Sequence, residues 1–221
     1  MTNRQGLFIT LEGGEGVGKS TQQAMLLRRL QQEGIKGLRS REPGSTPLGV
    51  ELRRVLMDLG RDTPCQQAEL LLYLADRAQH VRQVLEPILA SRAVVVCDRF
   101  VDSSEIYQGR VRGLGQEWVR TLNRWVCGGL WPDLTILLDL DPYLGLRRVH
   151  LRQGGLGILP DRLESESLAF HQAVRQGFLQ QAQDEPQRIK LVDASQPPEL
   201  VAQEVWRVVQ PVIEVWRRGP A

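Results

Sequence analysis

A lysine and a hydroxyl placed directly after a glycine-rich turn form a pair that binds polyphosphate, and residues 13–21 carry one. They read Gly13-Gly14-Glu15-Gly16-Val17-Gly18-Lys19-Ser20-Thr21. The pattern is Gly, four residues, then Gly-Lys-Ser. Glycines let the backbone turn tightly and aim several N–H groups into one concavity. A helix that starts at the loop's end adds the positive pole of its dipole. Lys19 reaches the β- and γ-phosphates of a bound nucleotide, and the Ser20 hydroxyl suits a magnesium ion. Residues 13–21 are therefore the candidate nucleotide site, with Lys19 as a candidate catalytic group.

Two further constellations carry charge to places where ligands bind. Asp98 and Arg99 follow Ala93-Val94-Val95-Val96-Cys97, the strongest strand signal in the chain. Charges at the carboxyl end of a buried parallel strand sit where open α/β sheets take ligands. Tyr73 and Arg77 lie four apart in a helical stretch and share one side. An aromatic plate beside a guanidinium can clasp a base; a Tyr packed on an Arg stem is the commoner arrangement. Arg41-Glu42-Pro43-Gly44 is a forced polar turn, open to two readings: a ligand-positioning loop or a solvated one. Residues 152–161, R-Q-G-G-L-G-I-L-P-D, read as a mobile loop or lid, with Arg147, Arg148, Arg152 and Arg162 around it.

The elements that must hold these groups follow from periodicity. Leu7-Phe8-Ile9-Thr10-Leu11 is a buried strand ahead of the glycine loop, and Thr21 to Glu33 is a helix stopped by Gly34. Gly37 to Ser40 is a weak strand. Helices are predicted over Leu48 to Leu59 and Gln67 to Gln79. The second of these has an apolar face of Leu70, Leu71, Leu74 and Ala78. Val81 to Ser91 is helical with a break or kink at Pro87. Arg110 and Arg112 fall in a glycine-rich loop. Gln116 to Trp125, Pro142 to Leu151, Leu163 to Gln183 and Pro197 to Trp216 are helices; Leu134 to Leu140 and Arg188 to Val192 are strands. The alternation predicts a parallel sheet covered by helices on both faces, with the strands ending at Glu12, Asp98 and Asp139 central.

The totals bound the class. The chain has 221 residues, 42% apolar and 24% charged, which suits one soluble α/β domain over 1–221. A net charge of +2 points to no nucleic-acid partner. Cys65, Cys97 and Cys127 are odd in number and far apart, which fits a reducing cytoplasm better than a disulfide framework or a zinc site. No apolar run reaches the length of a membrane span or a signal peptide, so no membrane partner is expected.

The motifs stand in one order: L-E-G-G-E-G-V-G-K-S-T at 11–21, R-E-P-G-S-T at 41–46 and Y-L-A-D-R at 73–77. D-R-F-V-D-S-S-E-I-Y-Q-G at 98–109, P-D-L-T-I-L-L-D at 132–139, D-R-L-E at 161–164 and V-D-A-S at 192–195 follow. Over nearly its whole length the chain closely resembles thymidylate kinases. The R-E-P-G and D-R-x-x-x-S-S-x-x-Y-Q-G stretches are the most specific. The resemblance implies a P-loop nucleoside monophosphate kinase fold: a five-stranded parallel sheet, helices on both faces and a lid at about 148–163. It implies transfer of the ATP γ-phosphate to dTMP, with magnesium, in a cytoplasmic homodimer. Ser20 and Asp98 are then the metal-binding candidates. Tyr73 takes the place of the aromatic that stacks on thymine, and Arg77 that of the reader of the base edge. Ser104 and Gln108 fall where polar base contacts occur, and Tyr107 where a ring crowds the sugar 2′ position. Arg41 and Arg99 match the arginines near the acceptor phosphate, and Glu15 the carboxylate near the dTMP 3′-hydroxyl. In one branch of the family an arginine follows that carboxylate within the loop. Here the position is Gly16, so the resemblance assigns the transition-state cation to the lid, with Arg152 first, then Arg148 or Arg162. The alternative for Arg162 is an ion pair with Asp161 or Glu164. Two rival functions remain: another nucleoside monophosphate kinase, or a nucleotide-binding switch, although the N-K-x-D motif of such switches is missing.

Overall fold

The computed structural model describes residues 4–58, 63–156 and 161–219. Five strands, β1 (Leu7–Glu12), β2 (Gly37–Arg41), β3 (Val94–Asp98), β4 (Leu134–Asp139) and β5 (Ile189–Asp193), form one parallel sheet in the order β2-β3-β1-β4-β5. The three central strands are those ending at Glu12, Asp98 and Asp139, as the sequence predicts.

Alternation along the central strands explains why they read as unbroken apolar runs. Leu7, Ile9 and Leu11 of β1 face one side with Val94 and Val96. There they meet helix α1 (Lys19–Gln32) through Leu26 and Leu30. Phe8, Val95 and Cys97 face the other side and meet Val81, Leu85, Leu89, Phe100 and Val101. Each fully buried side chain of this kind contributes about 1.5–3 kcal/mol. The two faces also part the chain. β1 leads into α1 on one face, whereas β3, its hydrogen-bonded neighbour, leads into α5 (Val101–Ser104) on the other. A crevice therefore opens beyond their carboxyl ends.

Several segments differ from the sequence reading or run beyond the described residues. Helix α2 (Pro47–Met57) is capped by Thr46, and the predicted end at Leu59 lies outside the described residues. After α3 (Gln66–His80), the break expected at Pro87 lies upstream, as a π-helical turn at Val81–Leu85. α4 (Glu86–Leu89) then runs through the proline. A wider turn relieves the clash between the proline ring and the preceding carbonyl.

The loop expected after Gly109 starts later: α5 continues into a π-helical stretch, Glu105–Val111, which takes in Arg110, while Arg112 to Gly115 form the non-helical connection. Gly109 serves there as a contact and not as a break, because a Cβ on it would lie 2.9 Å from Gln116 Cα at the start of α6 (Gln116–Val126).

Helix α7 (Pro142–Leu156) runs past Leu151 and absorbs the first residues of the predicted lid. Glycine costs a helix only about 1 kcal/mol, and Gln153, in that last turn, donates to Glu164 at 2.6 Å. Residues 157–160 of that lid lie outside the described residues. The following helix, α8 (Leu168–Asp184), starts later than Leu163. Its N-cap is Ser167, and Asp161 and Glu164 form a reciprocal turn before it, each side chain accepting the other's backbone N–H at 2.9 Å. The last helix is α9 (Pro198–Arg218).

Candidate active site

The glycine loop joins β1 to α1, as its residue types require. Gly13, Gly16 and Gly18 have φ of 133°, 68° and 95°, a region that side chains with a Cβ rarely enter. Lys19 is buried, and its Nζ donates to the carbonyls of Gly13 (3.1 Å) and Gly14 (2.7 Å). Burial and the neighbouring Arg99 lower its pKa. The loop rests on α7 without side chains between them. A Cβ at Gly16 would lie 2.0 Å from the Gly145 carbonyl oxygen, and a Cβ at Gly145 would lie 2.3 Å from that of Glu15.

At the carboxyl end of β3, Asp98 accepts a hydrogen bond from Ser20 Oγ at 2.9 Å. Arg99 has φ of 68°, the positive value recorded for a non-glycine among the described residues. Such a backbone costs about 1–3 kcal/mol and persists where its surroundings over-determine it. They do so here. The Arg99 N–H donates to Leu11 O at 3.0 Å, and Glu12 accepts from Phe100 N–H at 2.7 Å and Ser103 Oγ at 2.6 Å. Burial and the Asp102 carboxylate push Glu12 up to about 7. The Arg99 guanidinium donates to Gly13 O (3.1 Å), Ser103 Oγ (3.1 Å) and Glu15 Oε1 (2.5 Å), and lies 5.1 Å from the Tyr107 ring centre. Glu15 also accepts from the Tyr107 hydroxyl at 3.1 Å. Burial raises the Glu15 pKa, but Arg99, Lys19 and that hydroxyl outweigh it and hold the carboxyl at about 2.

Two hollows flank this pair. The first, about 520 Å³, is lined by Tyr73, Arg77, Ser104, Tyr107 and Gln108, the residues matched to base and sugar contacts. The second, about 790 Å³, is lined by Lys19, Ser20, Thr21, Arg41, Asp98 and Arg152, among others. Glu15 and Arg99 line both hollows. Arg41 is exposed and faces only the second.

Arg77 is held more firmly than a Tyr–Arg stem contact would hold it. It is 1% exposed and donates to Glu42 (2.8 Å), Ser104 (2.9 Å), Asn123 (2.6 Å) and Phe100 O (3.0 Å). A guanidinium has five N–H groups, so one is left for a ligand. Glu42 is buried and not a solvated turn residue; its other oxygen meets His80 Nδ1 at 2.7 Å. The buried side of α3 is largely polar, with Glu69, Tyr73, Asp76, Arg77 and His80 inward; of its predicted apolar face Leu70 and Leu74 are buried, whereas Leu71 is 62% exposed.

The lid-region arginines separate. Arg152 lines the second hollow and touches Glu164 at 3.3 Å. Arg148 donates to Ala194 O at 3.1 Å. Arg162 is buried and pairs with Glu69 at 2.6 Å, not with Asp161 or Glu164, because its Nε is drawn inward to Leu56 O at 2.8 Å.

Sequence reasoning missed two residues of the site. Arg53 lines both hollows and donates to Pro43 O at 3.1 Å. Its signal was Gly49 one turn earlier on α2, the face pressed against α3, where a Cβ would lie 2.2 Å from Asp76 Oδ1. Glu12 was read only as a strand end.

The comparisons with known proteins agree with this geometry. The thymidylate kinase family model matches residues 11–205. The thymidylate kinase of Magnetococcus marinus is 52% identical over 206 residues, covering 93% of this chain and 96% of the relative. That of Synechococcus sp. (strain JA-2-3B'a(2-13)) is 53% identical over 213 residues, covering 96% and 98%. The crystal structure of thymidylate kinase from Ehrlichia chaffeensis superposes with a TM-score of 0.74 at 29% identity, covering 92% of this chain and 98% of that one.

Proposed function

This chain belongs to the thymidylate kinase family, and we propose that its two hollows are the acceptor and donor sites of one phosphoryl transfer. The enzyme phosphorylates dTMP in nucleotide biosynthesis. The donor in this reading is ATP, its phosphates wrapped by residues 13–21 and met by Lys19. The Ser20–Asp98 pair supplies hard oxygens at the mouth of the donor hollow, which fits a magnesium ion bound by one or two protein oxygens plus phosphates. When bound, the metal would neutralise charge on the donor phosphates.

The acceptor lies with its base against Tyr73, within reach of the remaining Arg77 N–H, Ser104 and Gln108. Tyr107 crowds the 2′ side of the sugar. Arg53 and Arg99, which line both hollows, serve the acceptor phosphate, and Arg41 approaches it from the donor side. A monophosphate is already an anionic nucleophile, so the site needs position and positive charge more than a base. Glu15, held at about 2, stays ionised at neutral pH; it orients Arg99 and accepts from the sugar 3′-hydroxyl.

The observation that carries this reading is the junction: Glu15 and Arg99 line both hollows and are bonded to each other. The test is coupled ADP release with ATP and dTMP, dUMP, dCMP, AMP or GMP as acceptor. Preference for dTMP is expected. Preference for a purine monophosphate would sink the assignment of the acceptor hollow.

A homodimer is the assembly that suits the surface. Leu71 on α3 and Trp118 and Trp125 on α6 are 62%, 59% and 79% exposed, on helices that pack together. A large apolar patch on exposed helices marks a binding face. Leu71→Glu combined with Trp118→Glu is expected to convert a dimer to a monomer in light scattering. An unchanged mass would place the interface elsewhere. No helix among the described residues is long and apolar enough to cross a membrane. The cytoplasm is the compartment proposed, in keeping with three free cysteines.

A further inference from the structure

We infer that Glu69 sets base selectivity by fixing which end of the Gln108 amide faces the acceptor. The inference rests on the reading above, in which Gln108 stands at the base end of the acceptor hollow.

Glu69 is 1% exposed and lies one turn before Tyr73 on the inward side of α3. Its Oε1 accepts from Gln108 Nε2 at 2.7 Å. Two guanidiniums converge on the same carboxylate, Arg162 at 2.6 Å and Arg112 at 3.5 Å. A carboxylate paired in this way only accepts hydrogen bonds, so the NH₂ end of the Gln108 amide must face it. The amide is planar, and the carbonyl oxygen is then the end turned away. Gln108 lines the acceptor hollow, and that oxygen accepts no hydrogen bond among the described residues. The base therefore meets an acceptor with no donor of its own.

That chemistry selects the base. Thymine and uracil present N3–H to such an oxygen. Cytosine presents an N3 lone pair, which leaves two acceptors face to face in a buried wall. A site built to hydrogen-bond one group rejects the analogue that lacks it by large factors, because its own polar atom is stranded. Glu69 touches no substrate in this account; it is a positioning residue acting through Gln108.

The test is kcat/KM for dTMP and for dCMP, at saturating ATP, in the full-length enzyme. Glu69→Gln is nearly isosteric. It keeps an oxygen for Arg162 and offers an N–H to Gln108, so the amide turns round and presents NH₂ to the base. The dTMP/dCMP ratio is expected to fall by about tenfold or more, mostly through KM for dTMP, with KM for ATP unchanged. An equal loss for both nucleotides would mark a purely structural role and overturn the inference. Gln108→Met removes both amide ends and leaves the ion pairs of Glu69 in place. It should lower the same ratio, and a ratio unchanged in this variant would also overturn the inference. A wild-type enzyme without preference for dTMP would overturn the functional reading and the inference together; a selective wild type with unchanged variants would overturn the inference alone.

Discussion

Replacing Lys19 with alanine lowers turnover by about 100-fold or more and leaves the protein folded. The expectation follows from what Lys19 touches. Lys19 lines the donor hollow, and its ammonium donates to two loop carbonyls, Gly13 O and Gly14 O. Gly13 O keeps a donor in Arg99 and the bond to Gly14 O is only part-buried, and the net cost of one hydrogen bond is about 1 kcal/mol. Lys19 is the first residue of α1, where alanine is a good helix former. Function has no such substitute. Negative charge on the transferring phosphoryl group needs a fixed cation in a site that excludes water, and water carries none. The checks are kcat by coupled ADP release and a thermal melt. A folded variant with near-normal turnover would remove the glycine loop from the mechanism.

What the sequence made legible was whatever is local. The glycine loop is contiguous and its neighbours are strongly periodic, so strand, loop and helix could be read together. Tyr73, Arg77, Ser104, Tyr107 and Gln108, proposed here for the acceptor, line one hollow, but they were named through a family pattern and not through periodicity. The misses share one cause. A periodicity argument assigns charged side chains to the solvent side, and this site inverts that rule by pairing buried charges across long separations. Glu42 is neutralised by Arg77, 35 residues away, and Glu12 accepts from Phe100 N–H, 88 residues away. Glu69 meets Arg162 on the turn before α8. No local window contains both partners, so each half looks like a misplaced charge. The same inversion hid the polar side of α3 behind its leucines. The π-helical stretch Glu105–Val111 escaped for a related reason. Gly109 and Arg110 read as loop residues until α6 and α8 enclose them; a Cβ at Gly177 of α8 would lie 2.8 Å from Ile106.

Arg152→Ala is expected to lower kcat by about 100-fold while dTMP affinity stays within about twofold, the pattern of an interaction made mainly in the transition state. The argument begins at Gly16. A cation carried by the loop at that position would need a side chain where even a Cβ falls 2.0 Å from Gly145 O. The same contact fixes α7 against the loop, and α7 carries Arg148 and Arg152. Arg41, Arg53, Arg99 and Arg152 line the donor hollow, but Arg99 and two of the three lid-region arginines are already committed. Arg99 is bound to Glu15, Gly13 O and Ser103, and Arg162 is buried against Leu56 O and Glu69. Arg148 donates to Ala194 O and does not line the hollow. Arg152 lines it with a side chain 62% exposed and, among the described residues, one ion pair, 3.3 Å to Glu164. An exposed pair of that kind is worth about 0–1 kcal/mol, so a bound polyphosphate can draw the guanidinium away from Glu164 at little cost. The measurement is steady-state kinetics with dTMP titration on the alanine variants of Arg148, Arg152 and Arg162. If all three keep wild-type kcat, α7 and the segment after it do not supply the cation, and the charge developing between donor and acceptor falls to Arg99, Arg53 and Arg41.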